Sequence, residues 1–281
     1  MHILLASQNP DGGWPYRMGG PSWTEPTAYS ILALRAQPSA VEAEASGLRW
    51  LQATQRMDGG WTPCSAVHES TWATAVAALL GPAALGEAAY HRAIAWIVER
   101  TGEDTSLLIR IRQFLTGNSQ GDPGWPWFPG TSAWVTPTAL SLLALRKAQR
   151  FLDLPKIRER LGSGVSCLLE RVCHDGGWNH GAPNALGYDA GSYPETTGAA
   201  LLALAGETAP RIQTACLWAR RALPGCRTSE GESWLRLGLL AHGQLPGPVA
   251  PPFCPPRTIQ SLSLALLAEN ALRGSNPFLE E

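Results

Sequence analysis

Leu48-Arg49-Trp50-Leu51-Gln52-Ala53-Thr54-Gln55-Arg56-Met57-Asp58-Gly59-Gly60-Trp61 joins an apolar helical run to an Asp-Gly-Gly turn and a tryptophan. The same ending recurs as Gln8-Asn9-Pro10-Asp11-Gly12-Gly13-Trp14, Gln120-Gly121-Asp122-Pro123-Gly124-Trp125 and Cys173-His174-Asp175-Gly176-Gly177-Trp178. Copies roughly fifty residues apart mark a repeat architecture. The glycines supply the positive-φ positions that end a helix and reverse the chain.

A second repeated element follows each turn: Thr24 to Leu34, Glu69 to Leu80, Val135 to Leu145 and Pro194 to Leu204. Pro26 and Pro137 suit a first helical turn, and Thr136 reads as an N-cap. These helices are apolar or small nearly all round, as in Thr197-Gly198-Ala199-Ala200-Leu201-Leu202-Ala203-Leu204, so both sides must be buried. The helices before the turns, such as Ala45 to Gln55 and Val165 to Val172, keep charges on one face and belong outside. Alternating inner and outer helices closed into a circle give an all-α fold, an α/α toroid of about six pairs, read as one domain over 1–281. Glu87 to Arg100 adds an outer helix, Ser106 to Leu115 and Ser233 to Gly243 add inner ones, and Arg257 to Leu272 closes the ring. The small Ala and Gly of the inner helices read as leaving open space, a hydrophobic cavity at the centre. Six prolines within 245–256 forbid a helix there and give a surface loop or lid.

Only 16% of residues are charged and the formal net charge is -1, which excludes a phosphate-tracking nucleic-acid binder. The six cysteines form no CxxC pair and read as reduced, packed thiols. No run reaches the ~18 apolar residues of a membrane span, and the opening Met1 to Gln8 lacks the basic start of a secretory leader. The expectation is a soluble, cytoplasmic protein, with peripheral membrane contact and oligomeric state left open.

The run Leu48 to Gln55 with Gly59-Gly60-Trp61 resembles the QW motif of squalene-hopene and oxidosqualene cyclases, and protein prenyltransferase β subunits carry a related repeat on the same toroid. Poorer copies at Ile3 to Trp14, Ala93 to Thr101 and Cys167 to Trp178 spread the likeness over most of the chain. Full triterpene cyclases pair two such barrels, and this chain has residues for one. The resemblance implies a proton-initiated, class II-type terpenoid cyclase acting on an isoprenoid or other apolar polyene. In that family an acidic DxDD motif at an inner-helix start reads on into Thr-Ala. Set on Thr27-Ala28, it places Glu25 at the middle, proton-donating acid and puts Trp23 and Pro26 at the outer two. No cysteine has an acid two residues before it, so the zinc site of the prenyltransferases is unmatched.

From the residues themselves, Glu25, Glu69 and Glu195 fall at equivalent helix starts and are expected at one rim. There neighbouring carboxyls raise one another's proton affinity. His68 beside Glu69, and Asp189, complete the catalytic candidates; the bland reading is helix-end stabilisation by each acid, worth ~0.3–1 kcal/mol. Trp23, Trp134 and Tyr193, two residues before that register, with Trp72 and Tyr29 inside their helices, are expected to line the pocket as substrate-binding faces able to stabilise cations. Cys173-His174-Asp175 with His180 has metal-ligand types, but the repeated turn already explains Asp175, so no metal and no cofactor is expected. The alternatives to an enzyme are a non-catalytic isoprenoid-binding barrel and a protein-interaction scaffold.

Overall fold

The computed structural model describes residues 1–35, 37–103, 123–185, 188–245 and 254–280. The expected inner helix Ser106 to Leu115, the start of the third turn at Gln120-Gly121-Asp122 and residues 246–253 of the proline-rich stretch lie outside the described residues. Twelve α-helices are described: α1 His2–Ala6, α2 Thr24–Leu34, α3 Val41–Thr54, α4 Ala73–Ala78, α5 Pro82–Leu85, α6 Glu87–Val98, α7 Val135–Ala148, α8 Pro155–Glu170, α9 Pro194–Ala203, α10 Pro210–Ala222, α11 Ser229–Ala241 and α12 Ile259–Leu272. Helices α2, α4, α7, α9, α11 and α12 each pack on the next, and α12 packs back on α2, which closes the ring. Helices α3, α6, α8 and α10 lie outside, each against the inner helix that precedes it, and α1 touches α12. None of the described helices is long and apolar enough to cross a membrane.

The repeated turn acts as a staple. Each turn tryptophan is buried and donates its indole Nε1 to a helix-end carbonyl: Trp14 to Leu4, Trp61 to Leu51 and Trp125 to Ile97 at 2.8 Å, and Trp178 to Leu168 at 2.7 Å. Its backbone N–H donates to a threonine Oγ1 on the following inner helix: Thr27 at 2.8 Å, and Thr74, Thr138 and Thr197 at 2.9 Å. The glutamine of the motif spans two repeats, since Gln55 Nε2 donates to Gly59 O at 2.9 Å and Ala89 O at 2.8 Å. Gly59 sits at φ 90°, and a Cβ there would stand 2.6 Å from the Arg92 carbonyl oxygen, so the turn can press on α6 only as glycine. A Thr138→Val variant keeps the side-chain shape but leaves the Trp125 N–H buried without a partner. It is expected to lose ~1–3 kcal/mol of stability, read as a lower urea midpoint at unchanged m.

Two glycines of the inner helices serve contact rather than space. A Cβ on Gly198 would lie 2.1 Å from the Trp234 carbonyl carbon, and one on Gly238 would lie 2.6 Å from Gly198 O, so α9 and α11 cross backbone on backbone. The ring interior is filled: Tyr29 of α2 meets Trp234 of α11 at 6.1 Å between ring centroids, and Phe278 from the C-terminal segment packs edge-on to Tyr29 at 6.1 Å and tilted on Trp234 at 5.5 Å. The expected apolar hollow is therefore replaced by a plugged axis with a crater above it. Basic side chains hold the plug from below: Lys147, 2% exposed, donates to Leu79 O at 2.9 Å and Pro277 O at 2.8 Å, and Arg150 donates to Leu279 O at 2.6 Å. Positive charge at these carbonyls suits the negative ends of the inner helices.

Candidate functional site

The inner helices start at one end of the ring, and there four of the six described starts are bonded to the loop that follows a turn tryptophan. Thr24 N donates to Pro63 O at 3.0 Å, Trp72 N to Trp127 O at 3.3 Å, Val135 N to His180 O at 2.9 Å and Ile259 N to Tyr16 O at 2.8 Å. Each acceptor lies two residues past a turn tryptophan. This backbone pattern carries the side chains of Tyr16, Trp127 and His180 to the wall of a crater of about 360 Å³. The rest of the wall comes from Thr228 and from the second residue of the inner helices, namely Glu25 of α2, Thr136 of α7, Glu195 of α9, Glu230 of α11 and Gln260 of α12, with Tyr29 and Trp234 as the floor.

Two of the sequence-predicted acids, Glu25 and Glu195, meet here, joined by Glu230. Glu69 does not. The Trp61–Thr74 bond sets the register of the second repeat, and in that register Trp72 takes the place of Glu25. Glu69 then precedes α4 and is exposed, as is His68, which lines a separate surface groove with Trp50 and Arg56. Asp189 is exposed on the two-stranded ribbon Asn184–Ala185/Tyr188–Asp189, away from the crater wall. Thr136 is not a cap but the second residue of α7, after Trp134.

The predicted aromatics divide. Tyr29 is on the floor of the crater. Trp23 stands behind the lining, edge-on to Tyr16 at 5.1 Å; Trp72 packs edge-on to Trp127 at 4.9 Å, and Tyr193 lies tilted on His180 at 4.9 Å. Trp134, 39% exposed, lies outside the wall. Sequence reasoning missed Tyr16, Trp127, Trp234, Glu230 and Gln260. The signal for the first two is the position two residues after the turn tryptophan. For Glu230 it is Thr228, whose Oγ1 accepts from Gly231 N at 3.1 Å and starts α11 at Ser229, four residues before the expected Ser233. The Cys173–Asp175 turn is committed to structure, since Asp175 accepts from Ser192 N at 3.0 Å and from Trp218 Nε1 at 3.2 Å.

Electrostatics favour an acid that keeps its proton. Glu25 is half-buried, and burial pushes its carboxyl up from 4.5 to about 7; a hydrogen bond from the Tyr16 hydroxyl pulls it down, and Glu230 pushes it up again. Burial and then Glu195 push Glu230 up as well. A helix N-terminus favours the ionised form by ~0.3–1 kcal/mol, whereas the rise to about 7 corresponds to ~3 kcal/mol, so desolvation outweighs the dipole. Beneath them the buried Tyr29 hydroxyl has no hydrogen-bond partner among the described residues, and burial, then Glu25 and Glu230, hold it well above the usual phenol range.

No family model matches the chain. It is 30% identical over 226 residues to drimenyl diphosphate synthase of Streptomyces showdoensis, covering 76% of this chain and 38% of that protein. The chain thus spans well under half the length of this curated relative. A variant of the type II terpene cyclase MstE from Scytonema, solved with geranylgeranyl dihydroxybenzoate, superposes with a TM-score of 0.56 at 21% identity over 95% of this chain and 76% of that one. The ent-copalyl diphosphate synthase of Streptomyces platensis gives 0.57 at 18% identity over 90% and 50%. The closed ring of inner helices, the repeated tryptophan turn and these likenesses make the chain a terpene cyclase-like α/α toroid.

Proposed function

We propose that this chain acts as a terpenoid cyclase-like protein on an isoprenoid held over the crater, with Glu25 as its acid. One observation carries the reading: a carboxyl whose proton affinity burial raises to about 7 lies on a wall that also presents the rings of Tyr16, Trp127, Trp234 and Tyr29. In the initiating step the Glu25 O–H proton passes to one carbon of an alkene. The π electrons form the new C–H bond and leave a cation on the other carbon, and Glu25 becomes a carboxylate. Ring faces stabilise such a cation by ~0.5–2 kcal/mol each. Loss of a proton from the cyclised cation to that carboxylate restores the acid. Glu230 favours the proton on Glu25 by opposing a second negative charge beside its own.

At about 360 Å³ the crater lies at the low end of small-molecule sites, and its axis is closed by Phe278. That closure favours a second reading, an isoprenoid-binding barrel without turnover. Incubation of the purified chain with squalene and shorter polyprenyl substrates, followed by mass spectrometry of the extract, separates the two. A cyclised hydrocarbon or alcohol is the expected result. Saturable binding with substrate recovered intact supports the second reading and sinks the first.

A further inference from the structure

Two of the cysteines, remote in sequence, meet beside the starts of α11 and α12. Cys254 Sγ donates to the backbone carbonyl of Cys226 at 3.6 Å, and Cys226 Sγ donates to Thr228 O at 3.5 Å. A thiol is a weak donor, so neither contact holds its sulfur strongly. A carbonyl oxygen lies ~2.4 Å from the Cα of its own residue, which puts Cys254 Sγ within ~6 Å of the Cys226 Cα. Disulfides join residues whose Cα atoms are ~4.4–6.8 Å apart, so a bridge here asks for side-chain rotation and a small loop shift, not a change of fold. Both residues are placed to make that shift. Cys226 follows the turn Leu223–Gly225 with extended backbone and stands two residues ahead of the Thr228 cap; Cys254 precedes Pro255-Pro256 and the Thr258 cap. Neither sulfur is fixed to a helix.

The two thiols suit complementary roles. Cys254 is half-buried on the wall of a surface cavity of about 220 Å³, where a small reagent reaches it. Cys64, Cys167, Cys173 and Cys216 are buried, which leaves Cys254 as the thiol that meets solvent first. Cys226 is 8% exposed; burial pushes its thiol up, hydrogen bonds with Thr228 pull it down, and Glu232 and Glu195 push it up again. It therefore stays protonated until a sulfur is delivered beside it. Arg227 and Arg257 are exposed on the wall of the same cavity and draw in a reagent that carries carboxylates.

We propose that Cys226 and Cys254 form a reversible disulfide by exchange with a carboxylate-bearing low-molecular-weight disulfide, a modification site that stands independently of the crater reading. The Cys254 thiolate attacks one sulfur of the reagent, the reagent S–S bond breaks, and a mixed disulfide forms as the first reagent thiolate leaves. Cys226 gives its proton to water, and its thiolate attacks the Cys254 sulfur. The Cys226–Cys254 bond forms and the second reagent thiolate leaves. Two protein thiols are oxidised, one disulfide is reduced to two thiols, and the two protons given up by the cysteines pass to the leaving thiolates. The bridge clamps the start of α11, which carries Glu230, to the start of α12, which carries Gln260. It also restricts the unfolded chain.

Incubation of the reduced full chain with glutathione disulfide, quenching with iodoacetamide and mass spectrometry test the site. The two cysteines fall in separate tryptic peptides, 222–227 and 237–257. The expected product links these peptides, has a protein mass lower by two hydrogens and melts ~5 °C or more higher, all reversed by dithiothreitol. C226S is expected to stop at a glutathione adduct on Cys254, and C254S to give neither adduct nor bridge; circular dichroism melts establish that both variants fold. No reaction at millimolar reagent, a persistent Cys254 adduct in the wild type without the linked peptides, or linkage of either residue to another cysteine in the folded protein overturns the pair. Linked peptides with an unchanged melting midpoint overturn the clamp.

Discussion

A Glu25→Gln variant is expected to form no cyclised product, with a loss of ~10²–10⁴-fold or more, because the amide has the size of the acid but no proton to give. Its amide oxygen can still accept from the Tyr16 hydroxyl, so the wall should keep its shape. In the wild type the active form is the protonated one, and turnover should fall as pH rises through about 7. Stability should follow the same group. Its folded-state value, about 7, lies above the ordinary 4.5, so the contribution is whole below about 4.5 and is lost as pH climbs through about 7. The full linkage is ~3 kcal/mol, reduced to roughly 2 for a half-buried carboxyl partly screened by solvent. Thermal melts at pH 5 and pH 8 should show this difference in the wild type and little of it in E25Q. A wild type equally stable at both pH values would show that the crater does not hold this proton.

Gly198→Val should be the most disruptive single change in the scaffold. Any Cβ at this position falls 2.1 Å from the carbonyl carbon of Trp234, and backbone, unlike a flexible side-chain end, has nowhere to rotate. Helices α9 and α11 would have to separate, which breaks the ring and moves Glu195 from Glu230. Overpacking costs ~1–3 kcal/mol where a core can adjust, and more is expected here. The measurement is a urea titration of G198V beside G206V, whose glycine has no atom within 4 Å of an added Cβ although its φ of 84° adds local strain. If G198V is no less stable than G206V, the close crossing is not what holds this side of the ring.

The architecture could be read from the sequence because one local rule repeats. A glycine turn followed by tryptophan fixes a chain reversal, and the nearly all-apolar helix after it can only be internal. The rim is harder to read, because a helix start is a weak signal and an error of three residues moves a side chain nearly a full turn along the axis, here off the helix altogether. Reading Glu69 and Glu25 as equivalent helix starts places Glu69 on the rim. The Trp61–Thr74 bond, with the same 13-residue span as Trp14–Thr27 and Trp125–Thr138, puts Trp72 there instead. Nothing local in Phe278 announces that the last turn of chain returns to plug the axis. That contact depends on Tyr29 and Trp234, which are remote in sequence and meet only once the ring is closed.

The bond from Ile259 to Tyr16, with the packing of α12 on α2, gives this array of repeats no outermost unit. A linear stack loses its end units first, because each has one neighbour, and it melts in stages. Here each of the six described inner helices is flanked on both sides, so among the described residues fraying has no end unit at which to begin. Denaturation should therefore be concerted, with fluorescence of the turn tryptophans and helical ellipticity falling together in one transition.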